Sequence, residues 1–544
     1  WNSKFYLKEA HDYLESAYVK LEKKIGSTLN QVHSVDFPPS FWEIPMASWL
    51  LHYLHALFDR YSRLKRAVEI YGNENVTLFS FQCDLETPEN LSDFIESTSI
   101  TEQSVSAFYG AVAKEMDIPI LEFTAAKGWP GRICLQKKRI NFFSKSIYIK
   151  AYNKLITELL RLISLKFRKG KDILMANYRF NVIEKIIFSR KLNVTFFPRG
   201  NKKIRATSQK VDRAALLSIT ATDEFERLAI NLLQKFMPTY LLEKFESYMD
   251  QATKWGCFNV YFSSTDWYSN ILFCYASSLG KLRCAKIIGY QHGGGYGQYK
   301  RSHSEFVERR LSDFYITWGW RDSHYSGAQL LPMPQPEISH YLNKHKPKNM
   351  NALWVSSTMP MQIVRFMNYI PDNLLRYREC KKLFISHLDR NICRFLVYRP
   401  FPVGYGWSCE EKEISEKYPE VKIEHMGSLY NLLQKVKLFV CDHQSTSFME
   451  ALVINTPTIL FWDNELKDER ESATQFFDLL REAKILFHDP IQAAEQVNSI
   501  WEDVQDWWLH PKRQNARLEF MNTFCQANRN WQKEWIKAFR KIIK

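Results

Sequence analysis

Apolar positions recur at three- and four-residue spacing in "FYLKEAHDYLESAYVKLEKKI" (residues 5–25) and "FWEIPMASWLLHYLHALFDRYSRLKRAVEIYG" (41–72). This is the helical period, and it predicts helices across the first 70 residues. "AYNKLITELLRLISLKFRKGKD" (151–172) reads as another amphipathic helix, ending in cations that suit a helix C-terminus, and residues 213–252 as further helix. The pattern then changes. Short apolar runs at 258–264, 285–291 and 313–319 each close on small or polar residues and alternate with helical stretches such as "YSNILFCYASSLG". That alternation predicts β-α-β units and a parallel sheet. A proline- and lysine-rich break, "PMPQPE" (332–337) and "NKHKPKNMN" (343–351), predicts a linker. A second alternating series follows, with strands expected at 352–357, 382–387, 395–400, 421–426, 437–443 and 456–462, and the last stretch is helical.

The expected architecture is therefore α/β with two Rossmann-like parallel-sheet lobes. Residues 1–342 would form an N-terminal helical region plus one lobe, 343–505 the second lobe, and 506–544 C-terminal helices that pack back on the first. Ligands of such sheets bind beyond the C-terminal ends of the strands, so chemistry is sought just after each apolar run.

The chain has only 19 glycines in 544 residues, yet Gly293, Gly294, Gly295 and Gly297 crowd into "GYQHGGGYGQYK" (289–300) directly after His292. Residues without Cβ let main-chain N–H groups approach a ligand or another backbone closely. His292, at a strand end, suits an acid, a base or a cation facing a leaving phosphate. The loop is neither GxGxxG nor a P-loop, since the lysine and hydroxyl of the latter are missing. Glu305 and Glu308 follow on a predicted helix, and either could orient His292. Asp266, in "YFSSTDWYSN", fits a cleft carboxylate acting as base or nucleophile and fits a helix cap equally well.

In the second series, "VCDHQSTSFMEALVINTPTILFW" (440–462) ends a strand at His443 and opens a helix with Ser445, Thr446 and Ser447. Hydroxyls and free N–H groups at a helix N-terminus form a phosphate site. Glu450, one turn on, would reach a ribose or base; the plainer alternative is a capping box from Ser447 to Glu450. Arg399 ends the run in "LVYRPFPVGYGW", where a guanidinium could pair with phosphate. Ser356 and Ser357 follow the first strand of this series.

Composition narrows the partners. A net charge of +15 points to anionic ones. Its short basic clusters, "KFRKGK" (166–171) and "RGNKKIR" (199–205), read more simply as solvated surface. No nucleic-acid module is present. The ten cysteines are scattered singly without metal spacing, which fits a reducing cytoplasm. No D-x-D pair occurs, so no metal of the kind that motif holds is expected, and no cofactor is expected beyond a nucleotide-linked substrate.

The blocks "ASWLLHYLHALFDRYSRL" (47–64), "GYQHGGGYG" with "SDFYITWGW", "YRPFPVGYGW", and "STSFMEALVINTPTILFW" followed by "DVQDWW" resemble transferases encoded in bacterial surface-carbohydrate clusters, in order from about residue 40 to 525. The resemblance implies a GT-B fold, with a nucleotide-sugar donor held by the C-terminal lobe and a saccharide or lipid-linked glycan acceptor by the N-terminal lobe. It also implies peripheral association with the inner membrane and a distant similarity to β-Kdo transferases, which use CMP-Kdo. On that similarity Ser445, Thr446 and Ser447 would grip the donor phosphate and Asp266 would be the catalytic carboxylate. The His-Pro pair common in CMP-sugar enzymes reads Arg399-Pro400 here. The function expected is a metal-independent glycosyltransferase. The alternatives are a polyol-phosphate transferase of the CDP-glycerol type and a non-catalytic protein that binds anionic surfaces.

Overall fold

The computed structural model describes residues 4–82, 85–124, 172–177, 180–197, 208–322, 324–366, 373–402, 410–463 and 468–543. The helix expected over 151–172 and the two basic clusters lie outside them, apart from residue 172. The chain opens with two long helices, Lys4–His33 and Pro39–Tyr71. The second starts with a proline in its first turn, where the missing N–H costs nothing, and ends at Gly72 with φ 80°. From Phe41 to Leu64 it is buried on nearly every side, which is why its sequence is apolar all round. Among the described residues no helix is long and apolar enough to cross a membrane.

Two six-stranded, wholly parallel sheets follow. A small parallel pair, β1 (Leu78–Phe81) and β2 (Ile120–Phe123), stands apart from both. The first large sheet contains β3 (Ile173–Met175), β4 (Val194–Phe196), β5 (Val260–Ser263), β6 (Lys286–Tyr290), β7 (Phe314–Thr317) and β8 (Gln329–Pro332). Their order is β4-β3-β5-β6-β7-β8. The second contains β9 (Ala352–Val355), β10 (Leu396–Arg399), β11 (Lys422–Ile423), β12 (Leu438–Cys441), β13 (Thr458–Phe461) and β14 (Leu486–Phe487), ordered β11-β10-β9-β12-β13-β14. Counted from its own first strand, that order is 3-2-1-4-5-6, the Rossmann order. The expected α/β class with two Rossmann-like lobes, GT-B-like in plan, is what the chain forms.

One expected strand is a helix. "KLFISH" (382–387) completes the helix Leu374–Ser386. Leu374, Tyr377, Lys381, Phe384, Ile385 and Leu388 are buried at three- and four-residue intervals. Seen alone, the apolar run has no visible period; its helical register shows only when the preceding turns are included.

The return connection ties the lobes together. Helix Pro511–Phe524 packs on the second lobe's helix Glu471–Glu482, and helix Trp531–Ile543 packs on the first lobe. There the Trp535 indole donates to the Pro334 carbonyl at 2.9 Å. One apolar cluster therefore runs from Val260 and Ile288 through Trp535 and Phe520 to Phe439 and Leu460.

A second tie is the stretch after β6. The Gly294 N–H donates to Thr446 Oγ1 at 2.8 Å, and the Tyr299 hydroxyl to the Gln444 carbonyl at 2.5 Å. The Arg470 N–H reaches the Gln298 carbonyl at 2.8 Å. The Arg470 guanidinium is held by Glu305 at 3.0 and 3.2 Å and by Asp322 at 3.2 Å; Glu305 and Arg470 are buried and the Asp322 side chain is 6% exposed. A Cβ on Gly294 would lie 2.6 Å from the Ser445 carbonyl carbon and 2.7 Å from the Thr446 nitrogen. The glycine is required because the backbone of the other lobe occupies that space. Gly294→Ala should accordingly lower the melting temperature, by the equivalent of about 1–3 kcal/mol of overpacking, and weaken ligand binding at the lobe junction. An unchanged melting temperature and unchanged binding would show that the two backbones do not approach this closely.

Candidate functional site

The order of strands in the second lobe's sheet reverses between β9 and β12, and the crevice at such a switch point is where ligands of this fold bind. A cavity of about 280 Å³ opens there. Its lining includes Ser356 and Ser357 from the end of β9, Arg399 from β10, His443 after β12, and Ser445, Thr446 and Ser447 at the start of helix Thr446–Ile454. Seven side chains expected from sequence to face the donor thus share one cavity. Val355, Pro400, Phe401 and Pro402 complete the wall, and no described residue lining it is acidic.

Asp442 organises this floor. Its buried carboxylate accepts from the Trp354 indole at 2.9 Å and the Tyr377 hydroxyl at 2.6 Å, and meets His443 Nδ1 at 3.0 Å. Tyr377 in turn accepts the Ser357 N–H at 3.0 Å and lies 3.3 Å from Ser356 Oγ. Burial opposes ionisation of Asp442, but His443, Lys381 and Tyr377 outweigh it and hold the carboxyl below its ordinary value. Burial also opposes the charge on His443; the Cys441 sulfur and Asp442 carboxylate outweigh it and raise the imidazole to about 9. His443 and Asp442 thus form an imidazolium–carboxylate pair at neutral pH, with the imidazole on the cavity wall and the carboxylate behind it. Ser445 caps the helix, accepting the Ser447 N–H at 3.4 Å, and its hydroxyl lies 2.8 Å from that of Ser447.

Two expected donor contacts change. Arg399 lines the cavity, but its guanidinium donates to the carbonyls of Met426 at 3.1 Å and Gly427 at 3.0 Å, so it braces a turn rather than presenting a free fork. Glu450 is buried and is absent from the cavity wall. It lies near Cys525 of the return connection, whose thiol is pushed up by burial first and by this carboxylate second. Helical geometry explains the change, since residues one turn into a helix need not face the ligand at its tip.

Across the junction, His292 follows β6 two residues before Gly294, whose N–H meets Thr446. Its side chain is 29% exposed, within reach of a substrate, and Nδ1 lies 3.6 Å from Glu308 Oε1. Glu308 is buried among three tyrosines. Tyr268 and Tyr296 donate to Oε1 at 2.6 and 2.8 Å, and Tyr315 donates to Oε2 at 2.8 Å. Burial raises its carboxyl to about 7, against the tyrosine hydrogen bonds and Arg365. Glu308, then, is the carboxylate placed beside His292, and Glu305 is not. Glu305 instead accepts from Arg470, from Arg309 at 3.3 Å and from the Gly297 N–H at 3.0 Å.

The other glycines serve packing. Gly295 and Gly297 have φ of 93° and 71°, and a Cβ on either would overlap Tyr299 or Trp320. Gly293 faces Thr446 Oγ1 at 3.8 Å and has room. Asp266 does follow β5, but it is buried and its oxygens are engaged. Asn270 Nδ2 donates to Oδ1 at 2.9 Å and Ser263 Oγ to Oδ2 at 3.2 Å. Asn270 then caps helix Ile271–Lys281. Asp266 is not the cap expected either: it is the first residue of the short helix Asp266–Ser269, whose N-cap is Thr265 with no side-chain cap bond, and its carboxylate is held by side chains instead. Among the described residues no group of three or more His, Cys, Asp or Glu side chains gathers as a metal site would.

The sequence reading passed over Asp442 and Tyr377 and the tyrosines around Glu308. Tyr268 lies in the short helix Asp266–Ser269, Tyr296 in the glycine-rich stretch after β6 and Tyr315 in β7, and spacing alone does not reveal that they converge on one carboxyl.

A family model described as LIC12162 family transferase matches residues 1–539. The chain belongs to the LIC12162 family of transferases. No curated protein matches it. Among solved structures, the family member is similar to the wall teichoic acid polymerase TagF, with 12% identity over 74% of this chain and 98% of that one, and a TM-score of 0.31. It is also similar to MurG of Acinetobacter baumannii (10% identity, 69% and 100% covered, TM-score 0.33) and to the spinosyn forosaminyltransferase SpnP (10%, 72% and 96%, TM-score 0.32). Likenesses this remote carry no argument about this family member's substrate.

Stability should report the Glu308 environment. Its carboxyl titrates at about 7 when folded and at about 4.3 in an unfolded chain. The folded state therefore holds the proton more tightly, and the associated stability, on the order of 3 kcal/mol, is present at low pH and lost as pH rises through that window. Glu308→Gln should flatten the fall in melting temperature between about pH 5 and about pH 8. Parallel curves for the two proteins would place the carboxyl in water instead.

Proposed function

We propose that this family member transfers a sugar from a nucleotide-activated donor to a hydroxyl acceptor, with the phosphate end of the donor in the cavity at the β9–β12 switch point. The observation that supports this most is the cavity itself. Three hydroxyl residues at a helix start, a charged imidazole and no carboxylate among the described lining residues provide what a leaving phosphate needs as the glycosyl C–O bond breaks. The electron pair of that bond departs with the phosphate. Partial positive charge at the helix N-terminus and the His443 imidazolium stabilise it there. Phe401 and the flanking prolines offer an apolar wall to a nucleobase.

His292 is the general base in this reading. As the acceptor oxygen bonds to the sugar carbon, its proton passes to the imidazole, and Glu308 stabilises the imidazolium that results. In its ionised form that carboxylate, 3.6 Å from the ring, lowers the cost of the positive charge the imidazole takes up with the proton. Asp266 has no part in the chemistry here. A CMP-linked acidic sugar such as CMP-Kdo belongs to the donor class that the His443 imidazolium and the helix N-terminus on the cavity wall suit. The bacterial surface-carbohydrate setting and attachment to the inner membrane stay attached to the resemblance that suggested them. The same wall would hold a CDP-polyol, whose transfer breaks a phosphorus–oxygen bond instead.

A thermal-shift panel of CMP, CDP, UDP, GDP and dTDP, followed by turnover with matching sugar donors and CDP-glycerol, tests the proposal. One nucleotide should raise the melting temperature, and Ser445→Ala with Thr446→Ala should abolish that rise. His292→Ala should cut turnover by about 10²-fold or more, and Asp266→Asn should keep most of it. Transfer from CDP-glycerol and from no sugar donor would replace the glycosyl reading with the polyol-phosphate one. Stabilisation by no nucleotide would contradict both.

A further inference from the structure

A second cavity, of about 500 Å³, lies away from the switch point where the two inter-lobe connections pass each other. Ser339, His340, Leu342 and Lys344, on the stretch between β8 and β9, form one wall. Arg529, Trp531 and Gln532, on the return stretch into the last helix, form the other. The two stretches are joined directly, since the Asn528 N–H donates to Ser339 Oγ at 3.0 Å.

The charge in this cavity is one-sided. Arg529 and Lys344 are exposed, and neither pairs with a carboxylate of the described residues; the Lys344 ammonium stands over the Tyr341 ring at 5.9 Å. Two carboxylates nearby are already engaged: buried Glu184 by His340 at 2.7 Å and by the Asn181 N–H at 2.7 Å, and Glu534 by the Asn528 amide. At the lobe junction, by contrast, Arg470 is matched by Glu305 and Asp322. Two unmatched cations, a histidine and an indole around a space of ligand size make a site for an anion with an apolar portion. We propose that this cavity binds a phosphate-bearing ligand, distinct from the donor, that bridges the outgoing and return connections.

Such a ligand has two sources, a free phosphorylated compound or a lipid headgroup. The last helix distinguishes them. Trp531, Trp535 and Phe539 bury one face against the protein, while Lys533, Lys537, Arg540 and Lys541 are exposed on the opposite face of the same helix. That basic face would add its hold on an anionic bilayer if the ligand is a lipid headgroup, and takes no part if it is a free phosphate.

The test uses the full chain and two probes, pyrophosphate by calorimetric titration and vesicles of phosphatidylglycerol in phosphatidylcholine by sedimentation. Arg529→Glu with Lys344→Glu should weaken whichever probe binds by at least tenfold, while nucleotide stabilisation at the switch-point cavity and the melting temperature stay unchanged. That preserved response separates loss of this site from misfolding and from failure of the donor reading. Lys537→Glu with Arg540→Glu should then abolish vesicle binding if the source is lipid, and leave pyrophosphate binding intact if it is free phosphate. Binding of neither probe by the unaltered protein, or binding indifferent to Arg529 and Lys344, would overturn the proposal.

Discussion

Two backbones approach each other to within the space of a missing Cβ, and the arrangement of the molecule follows from that contact. Gly294 lies against the start of helix Thr446–Ile454, with its N–H on the Thr446 hydroxyl. Both partners belong to loops at the C-terminal ends of parallel strands, one in each sheet. The contact therefore sets the functional ends of the two lobes against each other. The buried Glu305–Arg470–Asp322 cluster fixes the same junction from beside it. An isolated buried ion pair gives little net stability, but removing one partner is costly, so such a cluster specifies a unique docking more than it strengthens it.

Around that junction the electrostatics are divided. On the second lobe, an ionised Asp442 holds His443 protonated, so the cavity wall presents an imidazolium and, among the described lining residues, no carboxylate. On the first lobe, burial holds Glu308 near the point where it gains or loses a proton at neutral pH, next to a half-exposed His292. One side is built to receive negative charge and the other to receive a proton. Group transfer from a phosphate leaving group to a hydroxyl needs those two capacities a short distance apart.

The sequence carried much of this. Strand ends read from "KLFVCDH", "ALWVSS" and "FLVYRP" converge as parallel sheet geometry requires, which is why seven expected side chains line one cavity. What stayed hidden depends on direction rather than identity. Glu450 turns away because a helix rotates by about 100° per residue. Glu305 and Glu308, three residues apart, face different partners, and only the packing of Tyr268, Tyr296 and Tyr315 shows which one meets His292. The strands β3 and β4 span three residues each, too short for an alternation to register. The glycine cluster stood out by composition, but its cause, another lobe's backbone at Gly294 and aromatic rings at Gly295 and Gly297, is long-range.

A crystal structure of the full chain soaked with the nucleotide that most raises its melting temperature tests the central claim directly. The account predicts phosphate oxygens within hydrogen-bond distance of Ser445, Ser447 and the first N–H groups of helix Thr446–Ile454, with the leaving-group end turned toward His292. A nucleotide seated elsewhere, with that cavity occupied by solvent alone, would contradict it.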